Sequence, residues 1–129
     1  MRTERTWQRG QLVPHFNVTT VDGSVFRYAT IWQRQQLLLV ALPPSGAADC
    51  ARDLGSLAAA CRERDSVCVI TREPIGGLPA PAAVIADRWG EIAYVAAPAD
   101  PGALPAAEEL LDWLEHVMHR CPECEGEAK

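Results

Sequence analysis

Apolar and polar positions change their period several times along this chain, and each change marks an element. From Phe16 to Tyr28, β-branched and aromatic residues lie on both sides of Asp22-Gly23. Asp-Gly between two such runs predicts a β-hairpin. Gln36 to Leu42 is a continuous apolar run without alternation, the pattern of a central strand covered on both faces. Pro43-Pro44-Ser45-Gly46 ends it. From about Ala47 to Arg64, the apolar positions Leu54, Leu57, Ala58 and Cys61 recur at i, i+3, i+4 and i+7, one face of a helix. Ser66 to Thr71 is a second short, continuous strand.

Strand, helix and strand in that order predict a parallel crossover. The next stretch, Glu73 to Pro81, is too rich in Gly and Pro for a helix. Ala82 to Ala86 and Glu91 to Val95 flank Asp87-Arg88-Trp89-Gly90, a second hairpin. A Pro/Ala-rich connector, Ala96 to Leu104, leads to a last helix. Pro105 suits its first turn and Glu108 and Glu109 its N-terminal half. Leu110, Leu111, Leu114, Val117 and Met118 make its apolar face, and Cys121 continues that stripe. The expected architecture is α/β: a mixed sheet of four or five strands, an N-terminal β-hairpin and flanking helices. It is expected as a single domain over residues 1–120, with residues 121–129 as a tail.

Composition narrows the function. A chain of 129 residues, 48% hydrophobic, is long enough for one core without staples. The net charge of −5, with both signs interspersed, offers no basic footprint for nucleic acid and no polybasic patch for anionic lipid. The longest apolar run, Leu37 to Pro44, is far short of the roughly 20 residues of a membrane span. Charged residues without an apolar stretch at the N-terminus argue against a secretory signal, so the expectation is cytoplasmic. The cysteine count is 5, and an odd number excludes a fully paired disulfide scaffold.

Those cysteines carry the candidate chemistry. Cys50 falls near the start of the first helix, where the positive end of the dipole lowers a thiol pKa and favours the nucleophilic thiolate. Its structural alternative is a small apolar residue on the face of Leu54. Cys61, on the apolar helix face, and Cys68, inside a strand, read as core. Cys121-Pro122-Glu123-Cys124 follows the last helix, where the negative dipole end disfavours first attack. The pair suits disulfide formation, or resolution of a sulfenic acid formed at Cys50. With His116 and His119 it also makes a Cys2His2 set that zinc accepts, though four ligands on one helix end are crowded. A tail with an incidental Cys pair is the third option. His15 reads as structural. The four tryptophans are scattered, and no phosphate loop, metalloprotease motif or nucleophile-elbow serine appears. No cofactor is expected.

The same residues resemble the thioredoxin fold, and within it the alkyl hydroperoxide reductase/thiol-specific antioxidant (redoxin) branch, over roughly Gly10 to Arg120. Val13-Pro14-His15-Phe16 leading to Asp22-Gly23 looks like that branch's opening hairpin. Gln36 to Leu42 looks like the strand before its active-site helix. Pro81 to Gly90 looks like its segment from a proline to an acidic-x-x-Gly turn. The resemblance implies that Pro81 forms a cis peptide facing the active site and that Pro43 and Cys50 match Pro-x-x-x-Thr-x-x-Cys, with Ala47 replacing the threonine. Ala47 also stands where a thioredoxin Cys-x-x-Cys keeps its first thiol. The segment between the second core strand and Pro81 is too short for the helix usually found there. The implied activity is thiol-dependent reduction of a peroxide or a disulfide through Cys50, with Cys121 and Cys124 as resolving pair. The implied partners are a small-molecule peroxide or a protein thiol, and a homodimer is one arrangement that brings a tail to Cys50. The alternative is a redoxin-like binding or adaptor domain that has lost catalysis, with Cys121-x-x-Cys124 as a disulfide or zinc clasp.

Overall fold

The computed structural model describes residues 7–43, 57–98 and 104–119. The predicted opening hairpin forms from β1 (Asn17–Thr19) and β2 (Val25–Arg27), paired antiparallel. Its turn is held by the Asp22 carboxylate, which accepts hydrogen bonds from the Thr20 hydroxyl and the Ser24 N–H. Gly23 supplies the positive φ, +92°, that the turn requires. A 3-10 turn, Tyr28–Thr30, then leads towards β3 (Gln36–Ala41). The helix α1 is described over residues 57–63. It ends where Asp65 takes a positive φ, and β4 (Ser66–Thr71) follows.

β5 (Ala82–Ala86) and β6 (Ile92–Ala96) form the second hairpin, and α2 (Ala107–His119) closes the described chain. The four-stranded sheet has the order β4-β3-β5-β6. β4 runs parallel to β3, while β5 and β6 run antiparallel to their neighbours.

The unbroken apolar run of β3 has a direct explanation. Leu37, Leu39 and Ala41 face one core cluster, and Leu38 and Val40 face the other. The second cluster lies under the helices, with Leu57 and Cys61 from α1 and Leu110, Leu114 and Val117 from α2. Leu114 is fully enclosed, and burying such a side chain contributes about 1.5–3 kcal/mol. The first cluster is capped instead by the N-terminal segment and by the turn between β4 and Pro81, through Trp7, Val18, Ile75 and Leu78. That turn contains no helix. The Trp7 indole N–H donates to the Gly76 carbonyl at 3.0 Å, tying the two cover pieces together.

Two boundaries differ from the sequence pattern. β6 begins at Ile92, because a register shift at Ile85/Ala86 leaves Glu91 outside the ladder. There its N–H is bound by the Asp87 carboxylate at 2.9 Å, and the residue bridges to Leu12. Pro105 stands just before α2 rather than in its first turn. The bond from the Leu110 N–H to the Ala106 carbonyl, 3.1 Å, makes Ala106 the entry residue.

Candidate functional site

The registers place three chain segments at one end of the sheet. Ala41 pairs with Thr71 on one side and with Ala82 on the other. Leu42-Pro43 leaving β3, Arg72-Glu73 leaving β4 and Ala80-Pro81 entering β5 therefore converge there. The Ala80–Pro81 peptide is cis, as the resemblance implies; Pro81 is buried and Ala80 exposed.

Hydrogen bonds fix this rim. Leu42 N–H donates to the Thr71 carbonyl at 2.8 Å, prolonging the β3–β4 ladder. The Arg72 guanidinium donates to the Pro43 carbonyl at 2.9 Å and sets the direction in which the chain enters segment 44–56. The Thr71 hydroxyl donates to the Thr19 carbonyl at 2.7 Å and accepts the Glu73 N–H at 3.0 Å. The Glu73 carboxylate accepts from the Thr19 N–H at 2.6 Å, so the N-terminal hairpin is locked to the same rim. Thr71 carries the hydroxyl at the C-terminal end of β4, and it both donates and accepts a hydrogen bond there. The rim positions backbone; a reacting sulfur has to come from elsewhere in the chain.

Of the predicted site residues, Pro43 and Pro81 are thus brought to the same end. Cys50, with Ala47, and the tail pair Cys121 and Cys124 lie outside the described residues. Strand directions fix where α2 ends. β5 runs away from the Pro81 end, β6 returns towards it, and α2 runs away again. Arg64, just before β4 begins, binds Glu115 of α2 at 2.8 Å, which puts the last turns of α2 at the far end of the sheet. Six residues of strand span ~20 Å, so α2 ends far from Pro81. His116 is exposed and packs edge-on against Trp113 at 5.8 Å. Among the described residues, no cluster of three or more metal-ligating side chains occurs.

Other residues gain neighbours that the sequence pattern did not show. His15, exposed, stands edge-on to Trp32 at 5.0 Å and to Tyr28 at 5.5 Å. The Trp32 indole N–H donates to the Trp89 carbonyl at 3.3 Å, so two of the scattered tryptophans share one site. Cys61 and Cys68, both expected as plain core, have their thiols in contact. The Cys68 S–H donates to the Cys61 sulfur and holds the Cys61 pKa below the usual thiol range, against the effect of burial and with help from Arg64. The same bond, with burial, pushes the Cys68 thiol far up. The available signal was topological: Cys61 lies on the inner face of the crossover helix and Cys68 on the strand that this helix precedes.

No protein-family model matches the sequence, and no curated protein is significantly similar to it. Solved structures are similar in fold. A thiol:disulfide interchange protein of the thioredoxin family from Chlorobium tepidum matches with a TM-score of 0.59 at 11% identity, over 86% of this chain and 98% of its own. The reduced 2-Cys peroxiredoxin of Plasmodium vivax matches with a TM-score of 0.63 at 13% identity, over 86% of this chain and 82% of its own. A thioredoxin-type protein from Neisseria meningitidis matches with a TM-score of 0.55 at 13% identity, over 90% and 95%. The chain has the thioredoxin fold and resembles the peroxiredoxin branch in architecture.

Proposed function

We propose that this chain is a thiol-based oxidoreductase whose nucleophile, Cys50, attacks a hydroperoxide or a disulfide at the end of the sheet where Pro43 and Pro81 meet. The observation that carries this reading is the placement of Pro43. Segment 44–56, which holds Cys50, departs from the rim that Pro81 closes on the other side. The shared fold with a thiol:disulfide interchange protein and a 2-Cys peroxiredoxin supports the class of chemistry.

With a hydroperoxide, the Cys50 thiolate takes the terminal oxygen to form a sulfenic acid, and the alkoxide leaves as alcohol or water after protonation. A second thiol then attacks the Cys50 sulfur, water departs, and a disulfide remains. Both electrons come from sulfur, so the step calls for no cofactor. Cys121 and Cys124 supply the resolving thiol in this proposal. Because α2 ends away from Pro81, the tail of a second copy, rather than the chain's own, meets Cys50.

The test is to treat reduced protein with hydrogen peroxide, and separately with a low-molecular-weight disulfide. Oxidant consumption is followed, and the products are separated without reductant. The expected result is a dimer-sized product that disappears both in Cys50→Ser and in Cys121→Ser/Cys124→Ser, with oxidant consumption reduced in Cys50→Ser. Ala47, in place of a partner thiol or hydroxyl, favours a non-catalytic clasp as the second reading. A Cys50→Ser chain that matches the parent in both consumption and products, with no dimer-sized product in either and zinc retained by the tail, would favour it.

A further inference from the structure

Cys61 and Cys68 stand apart from the residues of the proposed reaction, yet they are two thiols in contact across an element boundary. Cys61 is wholly enclosed, at 0% exposure, beneath α1. Cys68 is only half-buried and lies on β4, the edge strand of the sheet. Both pack in the helix-side cluster. Cys68 lines two cavities. One, of about 420 Å³, lies between Cys68, Val69 and Arg72 and the turn of the first hairpin, at Val21 and Val25. The other, of about 440 Å³, is lined by Gln35, Arg62, Asp65 and Val67. Of the two thiol residues, Cys68 lines open space among the described residues, while Cys61 is enclosed.

We propose that Cys61 and Cys68 form a second redox-active dithiol, in which a hydroperoxide oxidises Cys68 and Cys61 then closes a disulfide between α1 and β4. The contact between the sulfurs supplies the proton transfer this order needs. As the Cys68 sulfur attacks the peroxide oxygen, its S–H proton passes in the same step to the anionic Cys61 sulfur, which acts as the base; the O–O bond breaks, and the leaving alkoxide is protonated to alcohol or water. Cys68 is left as sulfenic acid. Cys61 gives its proton to the departing hydroxide and bonds to the Cys68 sulfur, releasing water. Two thiols and one hydroperoxide give one disulfide, one alcohol and one water. Closure needs a sulfur–sulfur bond of about 2.05 Å between two thiols that already share a hydrogen bond. Arg64 faces the pair from the end of α1 and favours the single negative charge that the two sulfurs share. The pair is independent of Cys50 and works whether or not that residue reacts.

The test uses the full chain and a Cys50→Ser/Cys121→Ser/Cys124→Ser variant, each treated with equimolar hydrogen peroxide, alkylated and digested with trypsin. The expected product in both proteins is a peptide from Asp53 to Arg62 disulfide-linked to one from Asp65 to Arg72. Both thiols of the variant should be lost together. A Cys61→Ser chain should accumulate a sulfenic acid at Cys68 that dimedone traps. Retention of both thiols in the full chain and the variant overturns the proposal. So does a sulfinic acid on Cys68 without the linked peptide, or a trapped sulfenic acid on Cys61 in a Cys68→Ser chain. Loss of the linked peptide leaves the Cys50 reading untouched, because that reading is scored by the dimer-sized product.

Discussion

Tyr28 shows how a single side chain is held by shape rather than by its polar group. It is 1% exposed, and its hydroxyl finds no hydrogen-bond partner among the described residues. Its ring stacks on Phe16 at 5.7 Å and meets His15 edge-on. Burial, reinforced by the Asp87 carboxylate, pushes its pKa up to about 12. The fold thus favours the neutral phenol. That contribution is complete below pH ~10 and is lost as pH rises through the folded value of about 12. Tyr28→Phe should be neutral or stabilising by about 1 kcal/mol at pH 7, since it removes an unpaired buried hydroxyl. Urea midpoints taken across the alkaline range should fall less for the variant than for the parent; a parallel fall would show that Tyr28 does not titrate there.

Gly90 is the neighbouring constraint. Its φ is +93°, and an added Cβ would lie 3.0 Å from the Trp32 indole nitrogen and 3.2 Å from the Tyr28 hydroxyl. Gly90→Ala should cost about 1–3 kcal/mol, read from a denaturant midpoint. The Asp-x-x-Gly turn was legible in the sequence as a turn. The three aromatic residues around it were not, because their contacts join Tyr28 and Trp32 to Trp89 and Gly90 across 57 residues or more.

At the scale of elements, α2 is bound by its apolar stripe more than by its charges. Leu114 is 0% exposed against the helix-side core, so Leu114→Ala should cost about 2–5 kcal/mol in a thermal or denaturant melt. The Arg64–Glu115 pair that joins α1 to α2 is partly solvated, with side chains 25% and 49% exposed. A double-mutant cycle should give it about 1 kcal/mol or less, falling with salt. The strands, the crossover and the last helix were legible because each carries a local period that burial imposes: β3 is apolar on both faces since both faces are covered. Where β6 begins was not legible, since a register shift at Ile85/Ala86 sets it. The contact between Cys61 and Cys68 escaped for the same reason. A sequence shows which face each residue takes, but the rotation of a helix over a strand is settled by packing.

For the whole molecule, the two covers of the sheet divide its labour. Helices α1 and α2 occupy one face, while the N-terminal hairpin and the turn through Ile75 and Leu78 fill the other, where a helix is missing. Pro43 and Pro81 meet at one end, and α2 delivers its C-terminus to the opposite end. The proposed reaction meets that arrangement with the tail of a second copy, and a disulfide-linked dimer is the product it predicts. The cis peptide before Pro81 was anticipated through the family resemblance; the opposed end of α2 followed only from strand directions and the Arg64–Glu115 pair. The central claim is that Cys50 attacks from the rim that those prolines frame. Alkylation of each cysteine by iodoacetamide, followed by peptide mapping from pH 5 to 9, tests it most directly. The account predicts that Cys50 alkylates first, with a midpoint well below the ordinary thiol value of about 8.5. A Cys50 that alkylates no faster than Cys121 and Cys124 at every pH would contradict it.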